Sequence, residues 1–190
     1  MENCHNVARN YPAILFLSGA SGVGKTTILD ILKARNTKPS YVFLHYDSIG
    51  IPSFTEMIEQ DGSLERWQEL TTHKWIEKIT NEYQDTDTVI VEGQSNLEFV
   101  ERACQRFSVK RYAIILIDCN WETICNRLTI NRQQPELVNA DMQNWVKFLR
   151  EQAQLKGIPI FDTTHQTPEQ VADIIESKII SQLDKGRQCL

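Results

Sequence analysis

Eight consecutive residues, Gly19-Ala20-Ser21-Gly22-Val23-Gly24-Lys25-Thr26, combine backbone freedom, one positive charge and a hydroxyl in the spacing Gly-x-x-x-x-Gly-Lys-Thr. This is the Walker A pattern. Its glycines let the chain curl so that successive N–H groups point inward at anionic oxygens. A helix that starts near Lys25 aims its positive end at the same place. Lys25 then supplies a point charge between β- and γ-phosphates, and the Thr26 hydroxyl can ligate Mg²⁺. With Thr27 on the first helical turn, residues 19–27 are the expected cradle for a nucleoside triphosphate. Gly22-Val23-Gly24 does not open a dinucleotide fingerprint, because its third glycine would fall at Thr27.

The elements around this loop must supply a strand before it and a helix after it. Five apolar runs, at residues 13–17, 41–44, 88–91, 112–117 and 158–161, are short and rich in Val, Ile, Leu or aromatics. Runs that are apolar on both faces read as buried parallel strands. Amphipathic stretches at 26–35, 64–83, 121–130, 139–156 and 168–183 read as helices, the last with Thr167 as N-cap and Pro168 at its first position. Strand–helix alternation implies a parallel sheet covered on both faces. No Pro/Gly-rich linker divides the chain, so residues 1–190 read as one domain. Residues 46–63 and 131–139 look irregular and are expected to be flaps.

Three further segments resemble the small P-loop kinases of the chloramphenicol phosphotransferase, gluconate kinase, shikimate kinase and adenylate kinase type. The second run ends His45-Tyr46-Asp47-Ser48-Ile49, the third ends Val91-Glu92-Gly93, and the helix after the fourth run carries Arg127 and Arg132. The resemblance implies an α/β P-loop NTPase fold of about five parallel strands, with a small lid near residues 128–139. It implies ATP and Mg²⁺ as cofactors. Asp47 would then accept the proton of a substrate hydroxyl or hold a water on the metal. Glu92 would orient a metal-bound water or the hydroxyl, so Thr26, Asp47 and Glu92 form the expected metal site. Arg127 would pack on the adenine, and Arg132 would reach the phosphates on closure, joining Lys25 and Asp47 as catalytic groups. The Arg-x-x-x-x-Arg spacing is one residue longer than the adenylate kinase pattern. The plainer alternatives are an Asx turn at Asp47, a strand-end carboxylate at Glu92 and two solvated arginines.

Composition narrows the partners. The net charge is −5, which argues against broad nucleic-acid binding. No apolar stretch approaches the roughly 18 residues of a membrane helix, and the polar start shows no signal-peptide pattern. Five scattered cysteines (Cys4, Cys104, Cys119, Cys125 and Cys189) form no CxxC pair, which reads as reduced thiols in a cytoplasmic protein. His45, His73 and His165 read as ordinary polar residues. The missing Asn-Lys-x-Asp speaks against a GTPase. Between Asp47 and Thr86, nine acidic residues outnumber three basic ones (Arg66, Lys74 and Lys78), a balance of −6. An acceptor lying there is expected to be neutral or cationic rather than a monophosphate. The expected activity is therefore transfer of the γ-phosphoryl group to a small-molecule hydroxyl, by a monomer or homodimer. The alternatives are a nucleoside or nucleotide kinase, a nucleotide-binding regulator without an acceptor, and a polynucleotide 5′-end kinase.

Overall fold

A computed structural model describes residues 11–185. Cys4, Cys189 and most of the polar start lie outside the described residues. Five strands, β1 (Ala13–Ser18), β2 (Tyr41–His45), β3 (Thr88–Gly93), β4 (Tyr112–Asp118) and β5 (Ile160–Asp162), form one sheet in the order β2-β3-β1-β4-β5. Every pairing is parallel. Connections between parallel neighbours need a crossover. The helices α1 (Lys25–Arg35), α2 (Phe54–Asp61), α3 (Leu64–Glu82), α4 (Leu97–Arg106), α5 (Trp121–Asn126), α6 (Ala140–Lys156), α7 (Pro168–Ile174) and α8 (Ser181–Lys185) supply these crossovers and the closing segment.

The central strands β1, β3 and most of β4 are buried on both faces, and alternate residues feed two cores. Leu15, Leu17, Ile90, Ile115 and Ile117 pack with Ile28, Leu29 and Leu32 of α1 and Val171 and Ala172 of α7. Ile14, Phe16, Val89, Val91 and Leu116 pack with Trp75, Ile76 and Ile79 of α3, Val100 and Cys104 of α4, and Leu149 and Ala153 of α6. This is the expected α/β sheet with helices on both faces.

Several boundaries differ from the sequence reading. Residues 46–63 are not irregular throughout: they hold a 3₁₀ turn (Tyr46–Ile49) and α2, whose N-terminus is closed by a Ser53–Glu56 capping box. The periodic reading passed over α4, which Asn96 caps. The fifth strand begins at Ile160, two residues later than its apolar run. The helix after β4 turns π-helical over Arg127–Asn131, and the closing helix does so over Ile175–Ile180. The expected lid, residues 128–139, consists of the remainder of that first π turn and a 3₁₀ turn, Pro135–Leu137.

Beside β3 the chain comes very close to itself. A Cβ built on Gly93 would lie 2.2 Å from Cβ of Tyr46, whose side chain is buried. The Tyr46 hydroxyl lies 2.9 Å from that of Thr72, and the Trp75 indole N–H donates to the Tyr46 carbonyl at 2.9 Å. Tyr46 thus cannot retreat without breaking buried hydrogen bonds. Gly93→Ala should destabilise the protein by about 3 kcal/mol, the upper end of overpacking costs. Urea unfolding measures this, and an unchanged midpoint would show that the strand ends are not so tightly apposed.

Candidate functional site

The phosphate loop occupies the turn between β1 and α1, at the C-terminal end of the sheet. β1 lies between β3 and β4, so the loop stands where the crossovers diverge, the usual ligand crevice of an open α/β sheet. Gly19 has φ 155°, and a Cβ there would meet the Ile117 carbonyl oxygen at 2.3 Å. Only glycine fits. Gly24, at φ 101°, ends the loop as the N-cap of α1. Lys25 is buried at 9% exposure, and its ammonium donates to the Ala20 carbonyl at 2.9 Å. Burial lowers its pKa from 10.5 to about 8; the carboxylates of Glu92 and Asp47 oppose that drop, and Arg132 adds to it.

The carboxylates come from the neighbouring strands. Glu92, at the end of β3, is buried, and its Oε1 accepts from the Thr26 hydroxyl at 3.3 Å. The same oxygen lies 2.9 Å from Nδ1 of His45, the residue paired with Glu92 in the β2–β3 register. His45, read as an ordinary polar residue, is thus part of the site. Asp47 stands two residues beyond β2 on the 3₁₀ turn, exposed to solvent at the mouth. Partial burial and the nearby charge of Glu92 raise its pKa, while Lys25, Arg132 and His45 pull it down.

The other wall carries the arginines. Lys25, Thr26, Thr27, Arg127, Asn131 and Arg132 are among the residues that line a cavity of about 400 Å³. Arg127 spends its N–H groups within the protein: it donates to the carbonyls of Gly22 (3.3 Å), Val23 (3.2 Å) and Thr163 (2.9 Å) and to the Thr163 hydroxyl (2.9 Å). It ties the phosphate loop to the turn after β5. Thr163, missed in the sequence, completes the tie through its hydroxyl, 2.8 Å from the Val23 carbonyl. The π turn brings the Arg132 N–H to the Arg127 carbonyl at 3.0 Å, five residues back. A π turn absorbs one extra residue in a helix. It therefore accommodates the extra residue between the two arginines and leaves both on one cavity.

The first 114 residues match the family model described as Zeta toxin, which is more than half of the chain. The protein belongs to the zeta toxin family. No curated protein matches the sequence. Among solved structures, the chain is similar to a gluconokinase from Sinorhizobium meliloti 1021, with TM-score 0.65 and 13% identity over 95% of this chain and 98% of that one. A thymidylate kinase from Candida albicans gives TM-score 0.63 and 13% identity, covering 92% of this chain and 93% of that one. A shikimate kinase from Acinetobacter baumannii gives TM-score 0.58 and 14% identity, covering 92% of this chain and 97% of that one. At such identities the likeness speaks for the fold alone, which is that of the P-loop kinases.

This member of the zeta toxin family carries the parts of a nucleotide-dependent phosphotransferase: a formed phosphate cradle, carboxylates at two strand ends and a basic opposite wall. Among the described residues, no cluster of three or more His, Cys, Asp or Glu could hold a metal alone. Mg²⁺ commonly takes one or two protein ligands and completes its shell with phosphate oxygens and water, and the adjacent Thr26 hydroxyl and Glu92 carboxylate are of the type it takes. Among the described residues, no helix is long and apolar enough to cross a membrane.

The depressed lysine sets a pH dependence. Below about pH 8 the free protein already holds Lys25 as the cation that phosphates require. Above it, binding must bring in a proton, so affinity falls by up to about tenfold per pH unit until the ordinary lysine range is reached. Calorimetry with MgATP from pH 7 to 9.5, in buffers of different ionisation enthalpy, should show weakening affinity with proton uptake. A flat profile would show that Lys25 stays charged in the free protein.

Proposed function

We propose that this protein moves the γ-phosphoryl group of ATP onto a hydroxyl of a small neutral or cationic acceptor. The observation that carries the reading is the convergence of Lys25, Thr26, Asp47 and Glu92 at the ends of β1, β2 and β3, with Arg132 near enough to shift both Lys25 and Asp47. Bound ATP supplies the phosphoryl group, and Mg²⁺ neutralises part of its charge. The loop amides and Lys25 hold the β- and γ-phosphates. Thr26 and Glu92, with Asp47 beside them, would hold the metal or its waters. Asp47 also aligns the acceptor hydroxyl and takes its proton as the new oxygen–phosphorus bond forms and the bond to the ADP oxygen breaks. A raised carboxyl pKa suits that task, because a base works best near the ambient pH. Arg132 spreads the charge of the transferring group, and closure of residues 128–139 excludes water.

The acceptor class rests on where the cations are committed. A phosphorylated acceptor needs free arginines for its dianion. Arg66 is paired with Glu69 at 3.2 Å, and Arg102 of α4 pairs with the same carboxylate at 3.3 Å. Arg102 adds a positive charge that the balance over residues 47–86 leaves out, but it is already spent. Lys78 lies 3.9 Å from Glu82.

Lys25→Ala should remove most turnover. Asp47→Asn should leave MgATP affinity nearly unchanged and slow transfer by about 100-fold, the low end of general acid–base effects. A labelled-ATP screen over nucleosides, sugars and antibiotics measures both. Near wild-type transfer by Asp47→Asn would make that residue structural, and efficient turnover of any nucleoside monophosphate would end the neutral-acceptor reading.

A further inference from the structure

The Glu92 carboxylate is largely withdrawn from water: its side chain keeps 10% of its surface, while that of His45 keeps 42%. Such a charge is tolerated only where hydrogen bonds replace its hydration. Two donors reach the same oxygen. The Thr26 hydroxyl lies 3.3 Å from Oε1, and Nδ1 of His45 lies 2.9 Å from it. An ionised carboxylate only accepts, so the proton of the shorter contact sits on Nδ1. Oε2 takes no hydrogen bond among the described residues, and it is not sealed from solvent.

The backbone fixes the His45–Glu92 contact. The two residues are paired in the parallel β2–β3 register, so their side chains leave the sheet side by side on one face. The His45 carbonyl accepts from the Ser48 hydroxyl at 2.7 Å, and the next residue, Tyr46, is the one held against Gly93. The imidazole therefore springs from a fixed point. Glu92 has three side-chain torsions. Without His45, only the longer bond from Thr26 would hold its carboxylate, and that hydroxyl is itself free to turn. The dependence runs both ways, because a hydroxyl that gives its hydrogen to Oε1 keeps its lone pairs for a cation.

We infer that His45 is a positioning residue for the magnesium that accompanies the nucleotide. Its Nδ1–H holds Glu92 so that Oε1 takes the Thr26 hydrogen, which leaves the Thr26 lone pairs and Oε2 for the ion or its waters. In this role His45 acts through Glu92 and not on the ion. The inference deepens the transfer reading above and rests on it for the presence of the metal. Side chains that orient metal-binding groups are typically worth about 10- to 100-fold in metal affinity or activity.

The test uses the full chain and the non-hydrolysable β,γ-imido analogue of ATP, titrated by calorimetry with Mg²⁺ and again with EDTA. The quantity read is the gain in affinity that Mg²⁺ brings. His45→Ala should cut this gain by about tenfold and leave affinity in EDTA within about twofold of wild type, which also shows that the variant is folded. An asparagine amide nitrogen falls close to the place of Nδ1 and that of glutamine close to Nε2. His45→Asn should therefore restore the gain, and His45→Gln should not. In a Glu92→Ala background, His45→Ala should change the gain by less than about twofold, because no carboxylate is left to orient. Nitrogen-15 spectra of the free protein, at a pH where imidazoles are neutral, should show His45 as the Nδ1–H tautomer. An unchanged gain in His45→Ala, equal rescue by His45→Gln, a loss that persists in the Glu92→Ala background, or the Nε2–H tautomer overturns the inference. Transfer from labelled ATP is read separately. A gain that depends on His45 in a protein that phosphorylates no acceptor ends the transfer reading and keeps the inference. Turnover with a gain indifferent to His45 keeps the reading and ends the inference.

Discussion

An ammonium group can be withdrawn from water only where protein atoms replace its hydration. Lys25 is 9% exposed and has one carbonyl, that of Ala20, at 2.9 Å. The cost of this arrangement appears as a depressed pKa, and the carboxylates of Glu92 and Asp47 offset part of it. A triphosphate would complete the replacement by placing anionic oxygens beside the amine. The loop is thus held in a form that is under-satisfied by itself and better satisfied with ligand. Gly19 is wedged against the Ile117 carbonyl, and Arg127 holds the Gly22 and Val23 carbonyls from outside.

The rest of the structure serves to hold other groups against that loop. The Ser18 hydroxyl, at the last residue of β1, donates to the Ser95 carbonyl at 2.8 Å, and Ser95 Oγ lies 2.9 Å from Thr72 Oγ1 on α3. Thr72 in turn meets the Tyr46 hydroxyl. This buried chain fixes the loop strand, the β3–α4 connection, α3 and the residue before Asp47 relative to one another. Buried polar networks of this kind are costly to leave partly made, so they favour one arrangement of their members. Asp47 can stand at the exposed mouth and still be placed accurately, because its neighbour Tyr46 is pinned between Gly93 and Trp75.

How much of this the sequence reveals depends on the range of each interaction. The loop was legible because its chemistry is contiguous: glycines, lysine and threonine carry the signal within eight residues. The strands were legible because buried parallel strands are apolar on both faces. Asp47 and Glu92 were legible by order, each standing just after an apolar run. His45 was not, since a lone histidine at a strand end means nothing until the β2–β3 register places it opposite Glu92. Arg102 was not, because its pairing with Glu69 depends on the packing of α4 against α3. Helix α2 was missed because it is only eight residues long and buries only Met57, although Phe54, Met57 and Ile58 stood at helical steps and Ser53 and Glu56 at the capping-box spacing. Helix α4 did carry a readable signal, with Leu97, Val100, Ala103 and Cys104 at helical steps behind the Asn96 cap.

The division between shared and particular parts follows from the same geometry. A gluconokinase, a thymidylate kinase and a shikimate kinase share this fold at 13–14% identity, although their names describe different acceptors. The parts of this chain that suit a triphosphate are a strand, a glycine turn, a buried lysine and a basic opposite wall. The acceptor imposes nothing on those parts. The acceptor proposed above would meet α3 and the β3–α4 connection, where this chain pairs Arg66 and Arg102 with Glu69. These parts are joined to the loop and its strand through Gln94 and the Ser18–Ser95–Thr72 chain. The fold thus leaves acceptor choice to surfaces beside the phosphate cradle and not to the cradle itself.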